Sequence, residues 1–447
     1  GLISSQAKRK ISPCQQHENS QLGRRIKRCA GPNLPESYTF PNAKCEMLPR
    51  VACVAHSFLR SWRSHTDLHF SEETLGLRNI TRGKEKKAND FTSKVGCVLK
   101  KHSGIGIKTF KLKVASAYNL KECRQLDHVD SWLQIAIKPG IEEISCSLSH
   151  ANETFNFPCS LLSDRIGDTL RYLHLASCNF HPTAGLGCLK SLQLSMVHIR
   201  GPELECLLSG SFALERLELK CCSDIICLKI PCLLRLSYLE VFSGRRLKEV
   251  QSKAPNLSSF RFQGEPYVQL SLGETFRIKK LEWFCSGAAF YARTELPHTM
   301  PNLETLTIFS RTGKFLHLKL LNIVQRTSIG CASVFDDPSG LRRMLEQRHD
   351  KLKRVDIIKF SSTKSLVELT CHIVEFATSL ERLTLDTTEG SPRCSVNKSS
   401  KCFLLDGDAL EEANRAILAA QTYIKPKAPL AVEFNVLEPC SRCHATD

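Results

Sequence analysis

A six-residue pattern, Leu-x-x-Leu-x-Leu, recurs along most of this 447-residue chain and restricts its fold more than any other feature. In a β-strand the fourth and sixth positions of the pattern point to the same side. One copy cannot bury that apolar stripe by itself, whereas stacked copies form a continuous core. The pattern therefore predicts a solenoid of stacked units. Nine clear copies, some with another apolar residue in place of a leucine, begin at residues 170, 189, 214, 236, 257, 278, 303, 352 and 380.

The copies from residue 170 to residue 303 begin 19 to 25 residues apart, close to the ~20–29-residue period of leucine-rich repeats. Glycine and proline recur between them, which favours short strand–turn–helix units over long helices. The predicted fold class is α/β: an irregular leucine-rich-repeat solenoid over residues 105–390, with parallel strands on its concave face. Its core is predicted from five well-defined copies: Leu170, Leu173, Leu175, Leu189, Leu192, Leu194, Leu214, Leu217, Leu219, Leu303, Leu306, Leu380, Leu383 and Leu385.

The repeat weakens at both ends of this region and breaks once inside it. Weaker copies begin at Ile107, Ile141 and Leu318. Between residues 318 and 352 the spacing is lost, and a polar segment with glycine and proline carries no strand pattern. Either a loop interrupts the solenoid there or a repeat has been lost. Nine clear copies make a chance spacing in an ordinary α/β fold a poor explanation.

The net charge of +17 is concentrated in two stretches, and the first is residues 1–30, with a net charge of +6. This stretch is polar and without periodicity, so we expect a disordered basic tail. Its two basic clusters resemble a bipartite nuclear-import signal, which would make importin a partner and the nucleus, alongside the cytoplasm, the expected location. The clusters consist of Lys8, Arg9, Lys10, Arg24, Arg25, Lys27 and Arg28.

The second basic stretch, residues 78–121, has a net charge of +10. Such a surface can attract nucleic acid or another anionic ligand by neutralising phosphates. Few aromatic residues lie among its lysines, so a base-stacking surface is not evident. We expect a solvated surface and a basic linker over residues 78–104, and keep the anionic-ligand interpretation as an alternative.

A helical pattern precedes the repeats, with apolar residues at 51, 54, 55, 58, 59 and 62. Together with an upstream Leu-Pro pair, this helix resembles an F-box, and residues 31–77 are therefore predicted to form an F-box-like helical module. Downstream, residues 364–372 and 379–386 resemble an FBD-type region. The positions that match the F-box are Leu34, Pro35, Val51, Cys53, Val54, Phe58 and Trp62.

From about residue 31 onward the chain thus resembles the plant F-box/FBD/leucine-rich-repeat family, in particular its grass members. The resemblance implies a non-enzymatic substrate adaptor of an SCF-type ubiquitin ligase. The F-box would bind a Skp-family linker, through it a cullin-RING ligase, and the concave face of the solenoid would bind an unknown target protein.

The first half of the F-box departs from the family pattern. Residues 36–50 are shorter than in the family, lack an apolar helical stripe and contain Pro41, which would interrupt a first helix. The alternative function is therefore an interaction scaffold with repeats that work and an F-box that does not.

The C-terminal segment, residues 391–447, is predicted to close the last repeat. Residues 409–424 have the spacing of an amphipathic helix, with Asp408 as its expected cap. Further on, Cys440 and Cys443 form half of a zinc-site pattern, and with His444 they also match the spacing of covalent haem attachment. Because Cys394 and Cys402 are eight residues apart, they look like a poor second pair.

We expect unpaired thiols there, with neither a metal nor another cofactor. The 22 cysteines are otherwise expected to act as small apolar residues in a reducing compartment. No stretch has 18 consecutive apolar residues, so no association with a membrane is expected. The N-terminus shows no secretory-signal pattern. Common nucleotide-binding and hydrolase motifs are missing from the sequence, which supports a protein-binding role over an enzymatic one.

Overall fold

The computed structural model describes part of the compact unit formed by residues 44–447. The predicted basic tail, its import clusters and the F-box positions from Leu34 to Trp62 lie outside the described residues, as does the weak repeat at Leu318. The described residues are 65–77, 84–102, 106–114, 125–148, 155–162, 164–242, 246–265, 268–273, 275–285, 292, 299–310, 332–336, 340–342, 348–390, 392–394, 402 and 404–444.

One large parallel sheet organises these residues and confirms the predicted leucine-rich-repeat fold. Each strand pairs in register with the next repeat, as Leu217 pairs with Leu239 and Leu239 with Phe260. Thirteen strands follow one another across the sheet: β1 (Asp67–Phe70), β2 (Thr109–Val114), β3 (Glu143–Leu148), β5 (Tyr172–Ala176), β7 (Ser191–Ser195), β8 (Arg216–Lys220), β10 (Tyr238–Phe242), β12 (Ser259–Gln263), β14 (Lys280–Cys285), β15 (Thr305–Ser310), β16 (Arg354–Ile358), β17 (Arg382–Asp386) and β18 (Glu433–Leu437).

The apolar positions of the repeat form a continuous core beneath this sheet. In β8, for example, Leu217 and Leu219 are buried, whereas Arg216 and Lys220 are not. All fourteen leucines named above are at most 7% exposed. Because the strands pair in register, each buried leucine stacks on its equivalents in the neighbouring repeats, which buries the stripe that one repeat leaves open.

The sheet begins earlier in the chain than the predicted boundary at residue 105. Strand β1 pairs with β2 through Asp67–Phe70, inside the stretch assigned to the F-box-like module. A helix, α1 (Lys84–Lys101), then occupies most of the predicted basic linker. Its buried side includes Phe91, Val95 and Leu99, which pack into the common core. The sequence did not predict this helix, because many lysines lie between the apolar residues that have helical spacing.

The break in the repeat does not interrupt the sheet. Strand β15 pairs directly with β16, with Leu306 opposite Val355 and Ile308 opposite Ile357. Among the described residues, therefore, no strand of this sheet comes from the chain between these two strands. The chain between residues 311 and 353 connects two adjacent repeats.

The connections on the other side of the sheet differ from repeat to repeat, which makes the solenoid irregular. Helix α2 (Gln125–Ala136) and helix α3 (Gly201–Ser209) provide two of them. Elsewhere short strands pair parallel to one another: β4 (Phe155–Asn156) with β6 (Cys178–Asn179), and β9 (Cys227–Ile230) with β11 (Glu249–Ser252) and β13 (Gln269–Ser271).

Two helices and a strand finish the C-terminal end. Helix α4 (Lys364–Phe376) is buried along most of its length, and helix α5 (Gly407–Ala419) continues through a π turn (Ala420–Ile424) that contacts it. The predicted cap of α5 was wrong by two residues: Asp406, not Asp408, accepts a hydrogen bond from the backbone N–H of Ala409 at 2.8 Å. Beyond this helix, β18 adds the last strand to the sheet.

The segments that resemble an FBD region form α4 and β17. Within the part of the chain that the structure describes, no helix is both long enough and apolar enough to cross a membrane.

Candidate functional site: the outer face of the sheet

The side chains that alternate with the buried leucines form a continuous outer face, which we call the sheet face. Three rows of residues run across it because the strands are in register. The middle row lies between the two buried positions of each strand and is mostly polar. It consists of His69, Lys111, Ser145, His174, Gln193, Glu218, Glu240, Arg261, Glu282, Thr307, Asp356, Thr384 and Asn435.

Charged side chains pair across the centre of the sheet face, where β8, β10, β12 and β14 are adjacent. Lys220 Nζ lies 2.8 Å from Glu218 and 3.5 Å from Glu240. The guanidinium of Arg261 lies 3.7 Å from Glu240 and 3.4 Å from Glu282. In the middle row itself Glu218 and Glu240 are neighbours of like sign, and Lys220 and Arg261 supply the opposite charges beside them. Glu240 and Glu282 each pair with a cation from a neighbouring strand, whereas Glu218 pairs with cations of its own strand.

Two of these carboxylates are buried even though they lie on the outer side of the sheet. The side chains of Glu218 and Glu240 are only 10% exposed. Burial raises the pKa of Glu218, but hydrogen bonds from Lys220 and Arg216 outweigh burial and place its pKa below the ordinary value. Glu218 is thus held as a carboxylate at neutral pH.

Arg216 and Tyr238 border this charged cluster on one side. The guanidinium of Arg216 lies 3.6 Å from the ring centre of Tyr238, within cation–π range. The Tyr238 hydroxyl donates a hydrogen bond to Glu240 at 2.9 Å. Burial, together with this acceptor, raises the pKa of Tyr238 to about 12. The hydroxyl therefore stays protonated and remains a donor.

An aromatic patch lies beside the charged cluster, where each strand ends. Phe284 and Phe309 stack with ring centres 5.7 Å apart, and Arg261 lies 4.9 Å from the Phe284 ring. Phe242 and Ile358 are in the same row, and all four apolar side chains are only partly buried. An apolar patch beside paired charges is suited to binding another protein, with the aromatic residues as anchors.

The sequence predicted that the strand-bearing face of the solenoid binds the target, but it did not identify the residues of the sheet face, because the repeat pattern is defined by its leucines. The signal is present in the positions between them. The residues before the last apolar position of four successive repeats are Glu218, Glu240, Arg261 and Glu282, and phenylalanine follows that position in several repeats. A charged residue that recurs at one repeat position predicts cross-strand pairing once the strands are known to be parallel.

The predicted basic surface of residues 78–121 is divided between different elements. Lys100 and Lys101 lie exposed at the end of α1, whereas Lys111 lies on the sheet face, 2.7 Å from Glu143. Lys94 donates a hydrogen bond to the carbonyl of Leu75 at 2.7 Å. Some of these lysines are therefore already engaged in contacts within the chain.

The cysteines of the repeats follow the prediction only in part. Cys146, Cys178 and Cys222 are buried as expected, and burial raises the pKa of each thiol, to about 12 for Cys178 and about 11 for Cys222. Such thiols stay protonated and inert at neutral pH. In contrast, Cys188 and Cys206 are exposed, although they lie among apolar residues in the sequence.

Four other cysteines, which the sequence predicted to be unpaired thiols without a metal, come together at the C-terminal end. Cys394 follows β17, Cys402 precedes α5, and Cys440 and Cys443 follow β18. Their four Sγ atoms all lie within 4.8 Å of one another. The spacing of eight residues between Cys394 and Cys402 made them look like a poor pair. The adjacent parallel strands β17 and β18 nevertheless end at the same edge, near which Cys394, Cys440 and Cys443 meet, and the segment before α5 adds Cys402.

Backbone groups surround this cysteine cluster. The N–H of Cys443 donates to the carbonyl oxygen of Cys440 at 3.1 Å, and the backbone N–H groups of Arg442 and Cys443 lower the pKa of the Cys440 thiol to about 7. The N–H of Cys394 donates to the Cys402 sulfur at 3.2 Å. His444 is occupied on both sides: its Nε2 accepts from the N–H of Leu405 at 3.2 Å, and its Nδ1 lies 3.3 Å from the carbonyl oxygen of Cys440. His444 is therefore poorly placed to be a haem ligand.

The fold and the sheet face define a leucine-rich-repeat protein, a class whose repeats serve protein–protein interaction. The particular family follows from comparison: the family model described as "At1g61320/AtMIF1, LRR domain" matches residues 98–330 and 324–441. The chain belongs to this leucine-rich-repeat domain family.

A second comparison extends the resemblance. The chain is similar to the F-box/FBD/LRR-repeat protein At1g13570 of Arabidopsis thaliana, with 29% identity over 173 residues. The match covers 38% of this chain and 38% of that protein. Together the two matches confirm the resemblance to plant F-box/FBD/leucine-rich-repeat proteins.

Proposed function

We propose that this protein is a substrate-recognition adaptor of an SCF-type ubiquitin ligase. The predicted F-box-like module would bind a Skp-family linker through its positions from Leu34 to Trp62, and the sheet face would bind the target protein. The observation that carries the proposal is a leucine-rich-repeat domain of this family on a chain that resembles an F-box/FBD/LRR-repeat protein. Leucine-rich-repeat and F-box proteins are generally non-enzymatic adaptors, so catalysis would belong to the partner subunits.

The sheet face supports the second half of this proposal. Its aromatic patch around Phe284 and Phe309 offers apolar contact area, and the neighbouring pairs of charges restrict which partners fit. Since Glu218 and Glu240 are already neutralised by Lys220 and Arg261, a partner is not attracted by one dominant charge. We expect a target segment with an apolar anchor, flanked by polar groups that match the middle row.

The linker half is tested with the full-length chain and a purified Skp-family linker. Trp62 is the last apolar position of the predicted F-box helix, so Trp62→Ala should weaken binding by tenfold or more, the loss expected of an aromatic anchor (~1.4 kcal/mol per tenfold). Arg60→Ala is the matched control, because residue 60 falls on the other side of the same predicted helix. Binding is measured by isothermal titration calorimetry.

Each outcome decides between the hypotheses. Binding that Trp62→Ala loses and Arg60→Ala keeps supports the adaptor. No binding by the wild-type chain contradicts it and leaves the scaffold, in which only the repeats act. A steeply salt-dependent affinity for an oligonucleotide would instead favour the anionic-ligand alternative for residues 78–121.

A further inference from the structure

We propose that Cys394, Cys402, Cys440 and Cys443 bind one structural zinc ion. The four thiols come from three separate segments of the chain and meet at the edge of the sheet where β17 and β18 end. This inference does not depend on the proposed function, because none of the four cysteines belongs to the predicted F-box or to the aromatic patch.

The geometry of the cluster fits tetrahedral coordination by sulfur. With Zn–S bonds of about 2.3 Å, the sulfur atoms of a tetrahedral site lie about 3.8 Å apart. The four Sγ atoms lie within 4.8 Å of one another, and those of Cys394 and Cys443 are 3.2 Å apart. Small side-chain rotations therefore bring four ligand atoms to the required separations.

The chemistry of the donors also favours zinc. Four thiolates in a tetrahedral arrangement select zinc or iron among the common metals. The hard cations calcium and magnesium prefer oxygen ligands, which are not part of this cluster. With four protein ligands the coordination shell is closed, which is the arrangement of structural rather than catalytic zinc sites.

The surroundings of the cluster resemble the supporting shell of a metal site. The backbone N–H of Cys394 points at the sulfur of Cys402, where it would stabilise a negatively charged thiolate. His444 is held between the N–H of Leu405 and the carbonyl of Cys440, so it fixes the turn between Cys440 and Cys443. The ligand set is consequently four cysteines, with the histidine in a supporting role.

The position of the site explains what a metal would do for the fold. Cys402 lies five residues before α5 begins, and Cys440 lies three residues after β18 ends. A zinc ion would tie the segment that leads into α5 to the last two strands of the sheet. It would thereby hold the cap over the open end of the solenoid, which repeat proteins need for stability.

The test uses the full-length protein, purified with a phosphine reductant and without added metal. Elemental analysis by mass spectrometry should find about one zinc ion per chain. The double variant Cys440→Ser/Cys443→Ser should reduce that content at least about fivefold, because two thiolate ligands are lost. The matched control is Cys188→Ser/Cys206→Ser, which removes two exposed cysteines outside the cluster and should keep the zinc content of the wild type.

A second measurement does not depend on whether the double variant folds. The wild-type protein is stripped of metal with a chelator and titrated with Co²⁺, whose charge-transfer and d–d absorption bands report tetrahedral thiolate coordination. We expect these bands to saturate at about one equivalent, and zinc to abolish them.

Several results would overturn the proposal. The first is a wild-type protein that has neither bound zinc nor cobalt–thiolate bands. The second is a wild-type protein that holds iron in place of zinc. The third is the detection of disulfides among the four cysteines by peptide mapping without reduction.

Discussion

Single residues in this protein show how a neighbouring group decides the protonation of a side chain. Glu218 remains charged on a crowded face because Lys220 and Arg216 donate hydrogen bonds to it. His349 shows the opposite case. Burial, with His372 as a second cause, lowers its pKa from 6.5 to about 4, so it is neutral in the folded protein. The two rings lie 5.8 Å apart, edge to face.

This burial gives a prediction for the pH dependence of stability. Above pH 6.5 His349 is neutral in the folded and the unfolded chain. As the pH falls from 6.5 to about 4, only the unfolded chain takes up the proton, so the free energy of unfolding falls, by up to about 3 kcal/mol. His349→Gln should remove this part of the decline.

The measurement is urea unfolding between pH 7 and pH 4, with the exposed His128→Gln as the control. The slope against pH, rather than the absolute stability, is the quantity compared. Equal slopes for wild type and His349→Gln would contradict the assignment.

At the scale of elements, the backbones of two successive repeats come into direct contact at a pair of glycines. A β-carbon built on Gly185 would lie 2.2 Å from the Cα of Gly210, far inside any allowed contact. Gly185 lies in the connection between β6 and β7, and Gly210 directly follows α3. The absence of side chains at both positions allows the connection before β7 to pack directly against the connection between β7 and β8.

Gly185→Ala should therefore destabilise the fold by about 1–3 kcal/mol, because backbone and not a flexible side chain must move. Gly187→Ala is the matched control: it is two residues away, and a β-carbon there meets nothing within 4 Å. We expect the control to stay within about 1 kcal/mol of wild type. Thermal or chemical unfolding followed by circular dichroism measures both variants, and similar stabilities for the two would show that the contact is easily relieved.

At the scale of the whole molecule, stacking makes a surface that no single repeat has. Phe284 and Phe309 are 25 residues apart in the sequence, yet β14 and β15 place their rings 5.7 Å from each other. The charged cluster beside them likewise draws on four strands. A binding surface of this kind depends on the register of the sheet as much as on residue identity.

Replacing the two aromatic anchors should impair target binding without unfolding the chain, because both side chains are only partly buried. Phe284→Ala/Phe309→Ala is expected to reduce cross-linking of partner proteins at least about tenfold, the loss typical of interface anchors. Phe212→Ala is the control, since Phe212 is 70% exposed in a connection after α3 and not on the sheet face. Quantitative mass spectrometry of cross-linked complexes compares the variants, and unchanged partners in the double variant would place the target-binding surface elsewhere.

The sequence by itself determined the solenoid. The spacing of leucines such as Leu192 and Leu194 implies strands with one buried side, and repetition implies stacking, because an isolated unit leaves that side exposed. Helix α5 was also predictable, apart from its cap, because its apolar positions follow a local period. These properties depend on residues that are close in the chain.

Only the tertiary structure decided the contents of the sheet face and of the cysteine cluster. The pairing of Lys220 with Glu240 requires the register of β8 against β10, which no local pattern specifies. Cys394 and Cys443 lie 49 residues apart in sequence and meet only because β17 and β18 are adjacent parallel strands that end at one edge. Periodicity is a local property of the chain, whereas binding groups are assembled from residues that only packing brings together.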